Sequence, residues 1–549
     1  MNAFAPMPLS PAAVGAVVAA GCPRWRTGLW LIAALCVALL TGCAAGLPRI
    51  DRDAIASEAI AGSAKTPLGK IVADSTPEGE HSGFRLMPLG PYSLDTRLTL
   101  ASMASVSLDV QYYHFEADEV GRSLLRALRD AALRGVRVRL LIDDLYTSGH
   151  DDLFLGFAAH PNVEVRLFNP FLASRHRGQA GRYIADIFDF KRLNHRMHNK
   201  MFIADGVTAI IGGRNIANEY FLRSESDNFI DMDAFVVGKL VEPLAALFDR
   251  YWNSDPVYPL LRIAESALTP PQLAAKFERA TDPAHTPTPP PLPPTDILGY
   301  GPLREELHDG RIGLLWGEAY AFADHPDKPF EGSVGGDLLE TSVTYNIIEP
   351  MMKAKQSLVI SSPYFVPGPK GMALLRELAQ RGVKISVMTN SLGSTDEPVV
   401  HIGYARYREE MLRLGIELYE LSTTGVKRNR RLFHFGAGLG RLHAKLLVID
   451  GQTIFIGSMN FDPRSATINT ELGSIIDSKP LAKELTRVID LDRLQSAYKV
   501  RLAASGRGLE WLDMDAEGKE QVLTSEPDSS IWTKLKLLLL TPLVPEELL

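Results

Sequence analysis

The chain has 549 residues, 46% of them hydrophobic and 22% charged, with a formal net charge of -7. That length and balance fit roughly two to four domains with ordinary buried cores and exclude a chain too polar to fold. The acidic excess argues against a generally basic coat for nucleic acid.

In chain order, Arg24 and Arg26 precede the apolar run "GLWLIAALCVALLTG", which is short for a spanning helix and suited to the apolar region of a signal peptide. The run ends at Leu40-Thr41-Gly42-Cys43, which resembles a bacterial lipobox. Residues 1–43 are therefore expected to be a lipoprotein-type signal, with Cys43 lipidated as the first residue of the mature protein. Cys22 and Cys36 would leave with the signal, so Cys43 has no disulfide partner. Residues 44–83, small and polar, read as a tether.

Strand Ser107 to Tyr113, helix Asp118 to Leu133 and strand Val136 to Ile142 follow as a strand-helix-strand unit. Arg175, Arg177, Arg182, Lys191, Arg192 and Arg196 gather ahead of "HNKMFIADGVTAIIGGRN", residues 198–215. In an extended strand His198 and Lys200 face the same way, so two titratable side chains look at one place. Residues 268–300, with "TPTPPPLPPTD" inside them, are too proline-rich for a helix or central strand and read as an extended connection.

The pattern then returns. Strand Ser357 to Ser361, helix Gly371 to Gln380 and strand Val383 to Thr389 repeat the earlier unit, with "RGVKISVMTN" echoing "RGVRVRLLID". His401 is a lone histidine in a loop-like stretch and is expected to be structural. Lys427, Arg428, Arg430, Arg431 and Arg441 again precede the motif, and the doubled placement points to local steering of an anionic substrate. "LHAKLLVIDGQTIFIGSMNFD" reads as a hairpin turning at Asp450-Gly451, and His443, Lys445, Asp450 and Asn460 match His198, Lys200, Asp205 and Asn215 at one constant offset. One position departs: Gly213 stands where the second copy has Ser458, so the first copy lacks a hydroxyl donor and the halves are not interchangeable. In the tail, residues 504–549, "SIWTKLKLLLLTPLVPEELL" fits either an interfacial membrane contact or a terminal helix packed on the domain.

The doubled H-x-K-x4-D-x6-G-(G/S)-x-N pattern resembles the phospholipase D superfamily and, in its context, the bacterial cardiolipin-synthase branch, over roughly residues 84 to 500. The resemblance implies an α/β fold of two similar phospholipase D-like domains, 84–267 and 301–503. Each would have a mixed sheet flanked by helices, with a pseudo-twofold between them and the active site at their interface.

A phosphodiester resists attack because its oxygens are already anionic. A catalyst needs a nucleophile, cations or donors on the free oxygens, and an acid for the leaving alkoxide. The motif residues His198, Lys200, Asp205, His443, Lys445 and Asp450 are the catalytic candidates, with Asn215, Ser458 and Asn460 as further phosphate holders. The resemblance makes His198 the nucleophile, through a phosphohistidine, and His443 the acid and base. Asp205 and Asp450 lie at the turns, an odd number of residues from their histidines, and are assigned a structural part. By the same resemblance Glu471 orients an imidazole, and Asp233, or its neighbour Asp231 in "NFIDMDAFV", is the first-half counterpart.

No metal or cofactor is expected, because C-x2-C and H-E-x-x-H spacings are missing and the lysines beside the histidines would repel a cation. The implied activity is phosphatidyl transfer that makes cardiolipin. Phosphatidylglycerol is the first candidate substrate and phosphatidylethanolamine a second; the working unit is a monomer at a membrane of the bacterial envelope, with no nucleic acid as partner. Hydrolysis to phosphatidic acid, a nuclease and an inert lipoprotein scaffold are the alternatives, in falling order.

Overall fold

The computed structural model describes residues 47–529 except 80, 173–174, 176–177, 186–188, 286–290, 329–341, 429–438, 507 and 515–518. Cys43 and its signal, Arg177, Arg430, Arg431 and the sequence from 530 onward lie outside the described residues. Among the described residues no helix is long and apolar enough to cross a membrane.

The first half supplies strands β1 (Ser82–Met87), β2 (Ser107–Tyr112), β3 (Arg137–Asp143), β4 (Val163–Phe168), β5 (Met201–Ala204), β6 (Thr208–Gly212), β7 (Asp227–Ile230), β8 (Asp233–Gly238) and β9 (Val257–Pro259). The second supplies β10 (Leu315–Ala323), β11 (Ser357–Ser361), β12 (Lys384–Asn390), β13 (Glu417–Leu421), β14 (Leu439–Leu442), β15 (Leu446–Ile449), β16 (Thr453–Gly457), β17 (Leu472–Asp477), β18 (Ala497–Leu502), β19 (Leu509–Met514) and β20 (Glu520–Leu523).

Strand pairing makes the repeat physical. In the first half the order is β4-β3-β2-β5-β6-β8-β1, parallel from β4 to β2 and antiparallel after. In the second it is β13-β12-β11-β15-β16-β17-β10, with the same directions. Each half is thus an α/β region with a mixed sheet, as expected. The two sheets join edge to edge where β1 pairs antiparallel with β10, Gly83 opposite Trp316.

Helix Glu119–Leu133 connects β2 to β3 because its apolar stripe, Val120, Leu124, Leu125 and Leu128, is buried against the sheet and the Asp118 side chain accepts from Gly121 N at its start. Gly135, at φ +95°, lets the chain turn back into β3. Helix Gly368–Gln380 does the same between β11 and β12, ending at Gly382 with φ +84°.

Three sequence boundaries move. The expected tether carries a helix, Pro67–Ser75, capped by Thr66 and burying Leu68 and Ile71 in the first core. Upstream of it, Arg139 and Arg166 donate to the carbonyls of Ser57 and Ile55, so backbone contacts hold a stretch whose apolar content looked too small to pack. The expected connection begins with helix Pro270–Ala280, which buries Leu273 and Phe277 in that same core. Strands β19 and β20, inside the expected tail, extend the second sheet.

The two motif turns are built alike. Asp205 and Asp450 take left-handed backbone, φ +51° and +52°. The Asp205 carboxylate accepts from the backbone N–H of Ser105, Val106 and Ser107 at 2.8 to 3.1 Å. Asp450 accepts from Lys355, Gln356 and Ser357 in the equivalent place. Each carboxylate thus ties its hairpin to the start of the neighbouring strand and lies off the histidine face. Asp205→Ala would strand three donors and is expected to cost about 2–4 kcal/mol of stability. A denaturant melt should read that loss while turnover per folded molecule is kept.

Candidate active site

Alternation along each hairpin sorts the side chains. Met197, Met201 and Ile203 on one face, with Ala444, Leu446 and Val448, belong to a single apolar cluster shared by both halves. His198 with Lys200, and His443 with Lys445, take the other face of their hairpins and are buried.

Each motif is docked by backbone of the opposite half. His198 N donates to Thr470 O at 2.8 Å, and His443 N donates to Ile230 O at 2.7 Å. Strand β7 of the first half pairs in parallel with β14 of the second, just ahead of His443. The carboxylates are exchanged in the same way. His198 Nδ1 lies 2.8 Å from Glu471 Oε2, and His443 Nδ1 lies 2.7 Å from Asp231 Oδ2. A carboxylate at Nδ1 accepts a hydrogen bond from the N–H there, which favours the tautomer whose Nε2 keeps its lone pair.

The structure corrects Asp233. Its carboxylate is 3.0 Å from Arg97 Nη2 and 3.4 Å from Arg214 Nη1, and Ser93 Oγ donates to it at 2.6 Å. Two guanidiniums hold it inside the first half, and Asp231 reaches the imidazole instead.

Asp231 also explains the Gly213 departure. A Cβ at residue 213 would sit 2.2 Å from Asp231 Oδ1, so only glycine leaves room for that carboxylate. At the matching place Ser458 Oγ donates to Glu471 Oε2 at 2.5 Å. Ser458 was expected on phosphate; here its hydroxyl supports the carboxylate that holds His198.

The electrostatics of the two pairs differ. Burial pushes Glu471 up to about 7 against the pull of Lys200 and Ser458. Burial also acts on Asp231, but His443, Lys445 and Arg214 outweigh it and hold the group down at about 2. Burial, Lys200 and Lys445 push His198 well below the usual imidazole value, and burial with Lys445 pushes His443 down to about 4, where Asp231 opposes them. Lys445 depresses His198 as well as His443, so the charges of both motifs act on one region.

Lys200 Nζ donates to His198 O at 2.5 Å, and Lys445 Nζ donates to His443 O and lies 3.0 Å from its Nδ1. Asn215 is anchored, donating to Tyr220 Oη at 2.8 Å and accepting from His114 N. Asn460 is buried with its Oδ1 unpartnered. Aromatic rings wall the imidazoles: Tyr113 stands edge-on to His198 at 4.9 Å, with Tyr220 at 5.1 Å and Phe229 at 5.0 Å from His443.

Tyr220 and Phe229 carry no motif; the β7 and β14 pairing brings Phe229 to the second histidine, and Tyr220 packs on the Phe229 ring at 4.6 Å. Arg464, equally silent in sequence, donates to Asn194 across the halves at 2.8 Å. Two further polar rings lie away from the imidazoles. Tyr112 accepts from Arg97 in the first core, and His401 Nε2 pairs with Glu526 at 2.8 Å.

The basic runs are corrected too. Arg175 and Arg182 are buried on Asp144, Arg196 on Asp143, and Arg441 lies 3.1 Å from Asp227. These guanidiniums staple loops, and a charge count cannot see partners tens of residues away. Among the described residues no group of three or more histidine, cysteine or carboxylate side chains is arranged to hold a metal.

The chain matches the family model described as "Cardiolipin synthase, PLD-like domain" twice, over residues 98–252 and 347–493. It is 39% identical to cardiolipin synthase C of Escherichia coli K12 over 468 residues, 82% of this chain and 93% of that one. It is 25% identical to a cardiolipin synthase of Staphylococcus aureus over 421 residues, 75% of this chain and 67% of that one. Among solved structures, a phosphatidylserine synthase of Haemophilus influenzae aligns with a TM-score of 0.52 and 13% identity over 85% of this chain and 95% of that one, a likeness of fold.

Proposed function

The chain belongs to the cardiolipin synthase family with PLD-like domains, and from that premise we propose that its halves meet across a pseudo-twofold to form one active site for phosphatidyl transfer. The product is cardiolipin. The observation that carries this reading is the exchange of carboxylates, Glu471 onto His198 and Asp231 onto His443, which makes each histidine depend on both halves.

His198 Nε2 attacks phosphorus of a phospholipid and the headgroup oxygen leaves, giving phosphatidyl-His198. The leaving alkoxide takes its proton from His443, which then removes a proton from the hydroxyl of phosphatidylglycerol as that oxygen displaces His198. An ionised Asp231 suits this second part, because it stabilises the imidazolium that His443 becomes. Lys445, which adds to burial in depressing both imidazoles, is offset once an anionic phosphate binds beside it, so proton uptake on His443 accompanies substrate binding. Lys200 and Lys445 through their ammonium groups, and Asn215 and Asn460 through their amide N–H groups, hold the free phosphate oxygens.

Phosphatidylglycerol is the acceptor, and phosphatidylethanolamine is the second donor to be tried. The working unit is a monomer, held to an envelope membrane through Cys43. The deciding experiment gives membranes containing the protein labelled phosphatidylglycerol, with and without phosphatidylethanolamine, and separates the products. Labelled cardiolipin is expected; phosphatidic acid alone would make water the acceptor.

Burial pushes the Lys445 ammonium down to about 8, against Asp231 and Glu471. Its charge is therefore lost as pH rises through about 8, and kcat/KM should fall over that window. Lys445→Arg keeps its charge and should move the alkaline limb upward. A wild-type profile flat up to about pH 10, within the ordinary lysine range, would mean that burial does not depress the Lys445 ammonium.

A further inference from the structure

Asp324 and Lys328 lie just past the edge strand of the second half and take no step in the transfer described above. Strand β10 ends at Ala323, opposite Leu472 of β17, so Asp324 comes beside Glu471. The contact is made twice. Asp324 N donates to Glu471 O at 3.0 Å, and Glu471 N donates to Asp324 Oδ2 at 2.9 Å. Lys328 Nζ donates to that same carboxylate oxygen at 2.8 Å and to Ser465 O at 3.1 Å, its side chain only 9% exposed. The other oxygen, Oδ1, accepts from Val343 N at 3.0 Å, and Tyr251 of the first half donates its hydroxyl to Asp324 O at 2.7 Å. Asp324 is thus fixed by Lys328, Val343 and Tyr251, and it grips the backbone of the residue that braces His198.

The first half makes the equivalent tie with a cation. Arg214 donates to Asp231 O and to the carbonyls of Met87 and Pro88, at the end of β1, the strand that matches β10. Each brace is therefore held through its backbone to the end of its own edge strand, by Arg214 in one half and by Asp324 in the other. The difference lies in charge. Arg214 favours the Asp231 anion outright, whereas Asp324 is a second buried carboxylate beside Glu471 and needs a cation of its own. Lys328 is that cation. Around Glu471, Lys200, Lys328, Ser458 and Ser465 favour its anion and His198 donates to it, while the buried carboxyls of Asp324 and Asp462 oppose it.

We propose that Asp324 and Lys328 are positioning residues for the transfer: Asp324 sets where Glu471 stands against His198, and the Lys328 ammonium offsets the charge of both carboxylates. The proposal rests on Glu471 as the brace of the attacking histidine and adds what holds the brace. A group that orients a reacting side chain works only if its own geometry and charge are fixed by the packing behind it.

The test uses the full-length protein with radiolabelled phosphatidylglycerol in vesicles and follows, by acid quench, the rate at which label reaches His198 as pH is varied. Lys328→Gln keeps a donor and removes the charge. Its rate should fall about threefold near pH 7 and less than about twofold near pH 6, where Glu471 is already mostly protonated, so its acidic limb moves up by about one pH unit. Asp324→Asn turns one acceptor into a donor and removes the repelling charge, so its plateau should drop about threefold while its limb moves down. Lys328→Arg keeps the charge and should stay within about twofold of wild type. Added to Glu471→Gln, Lys328→Gln should change nothing further. A Lys328→Gln loss that is equal at every pH, or that persists undiminished with Glu471→Gln, would make the pair a support of the fold alone. No loss in Lys328→Gln, or an Asp324→Asn limb that does not move down, would leave Glu471 independent of them; each of these outcomes overturns the proposal. A second readout needs no turnover. The infrared carbonyl band of protonated Glu471, identified by its absence in Glu471→Gln, should titrate with a midpoint about one pH unit higher in Lys328→Gln, and a lower one in Asp324→Asn, than in wild type. Unmoved midpoints overturn the proposal. Should wild type place no label on His198, the phosphohistidine reading fails, while the infrared midpoints still decide whether Lys328 and Asp324 act on Glu471.

Discussion

Replacing His198 by alanine is expected to lower cardiolipin formation by at least about 10²-fold, and His443→Ala by a similar factor, because each removes one of two steps that no other group near the site can take over. The two losses differ in kind. By the proposed mechanism, no covalent enzyme can form without His198. Without His443 the leaving alkoxide has no acid, but a good leaving group still allows His198 to be phosphorylated. Acid quenching after a pulse of radiolabelled phospholipid separates them: wild type and His443→Ala should carry label on His198, and His198→Ala none. Label on His443 would reverse the two roles, and normal turnover in either variant would remove that residue from the reaction. Both imidazoles are buried and braced by a carboxylate, so the fold of each variant should be checked by its melt.

The second expected result is an inequality between the carboxylates. Asp231, held down at about 2, is ionised at every working pH, and Asp231→Asn should cost about 10²-fold by losing the charge that stabilises imidazolium at His443. Glu471, pushed up to about 7, is partly protonated near neutrality, so Glu471→Gln should cost only about tenfold there. The sign with pH follows. A raised carboxyl gains its charge only as pH climbs through about 7, so the Glu471→Gln deficit should be larger near pH 8.5 than near pH 6, while the Asp231→Asn deficit should not grow that way. Equal deficits at both pH values would mean that the two imidazoles stand in equivalent fields.

Much of this site was legible before any coordinates because its information is local. Histidine and lysine two residues apart on a strand share a face whatever surrounds them, and Asp-Gly turns fix the hairpins that carry them. The repeated units around β2 and β11 were legible for the same reason, since an amphipathic helix between two apolar strands announces itself. What escaped depends on contacts between distant positions. Asp231 and Asp233 are indistinguishable in "NFIDMDAFV"; the choice is made by Arg97 and Arg214 on one side and by the space at Gly213 on the other. The arginines before His198 looked like a solvated, steering surface because Asp143 and Asp144, their buried partners, lie well upstream. The segment carrying Leu68 and Ile71 looked like a tether because two apolar residues make a weak period, and only the finished first core gives them a place to go.

The trade of Glu471 for Asp231 has a consequence for the chain as a heritable unit. Neither half owns a complete histidine: each arrives with an imidazole whose brace is encoded in the other. The duplication therefore cannot be pruned back to a single working copy, since a lone half would need a second identical half to lend the missing carboxylate. The fused arrangement also lets the two braces diverge, Glu with Ser458 in one and Asp with Gly213 in the other. A symmetric pair of identical subunits could not do this, because any change would appear in both places at once.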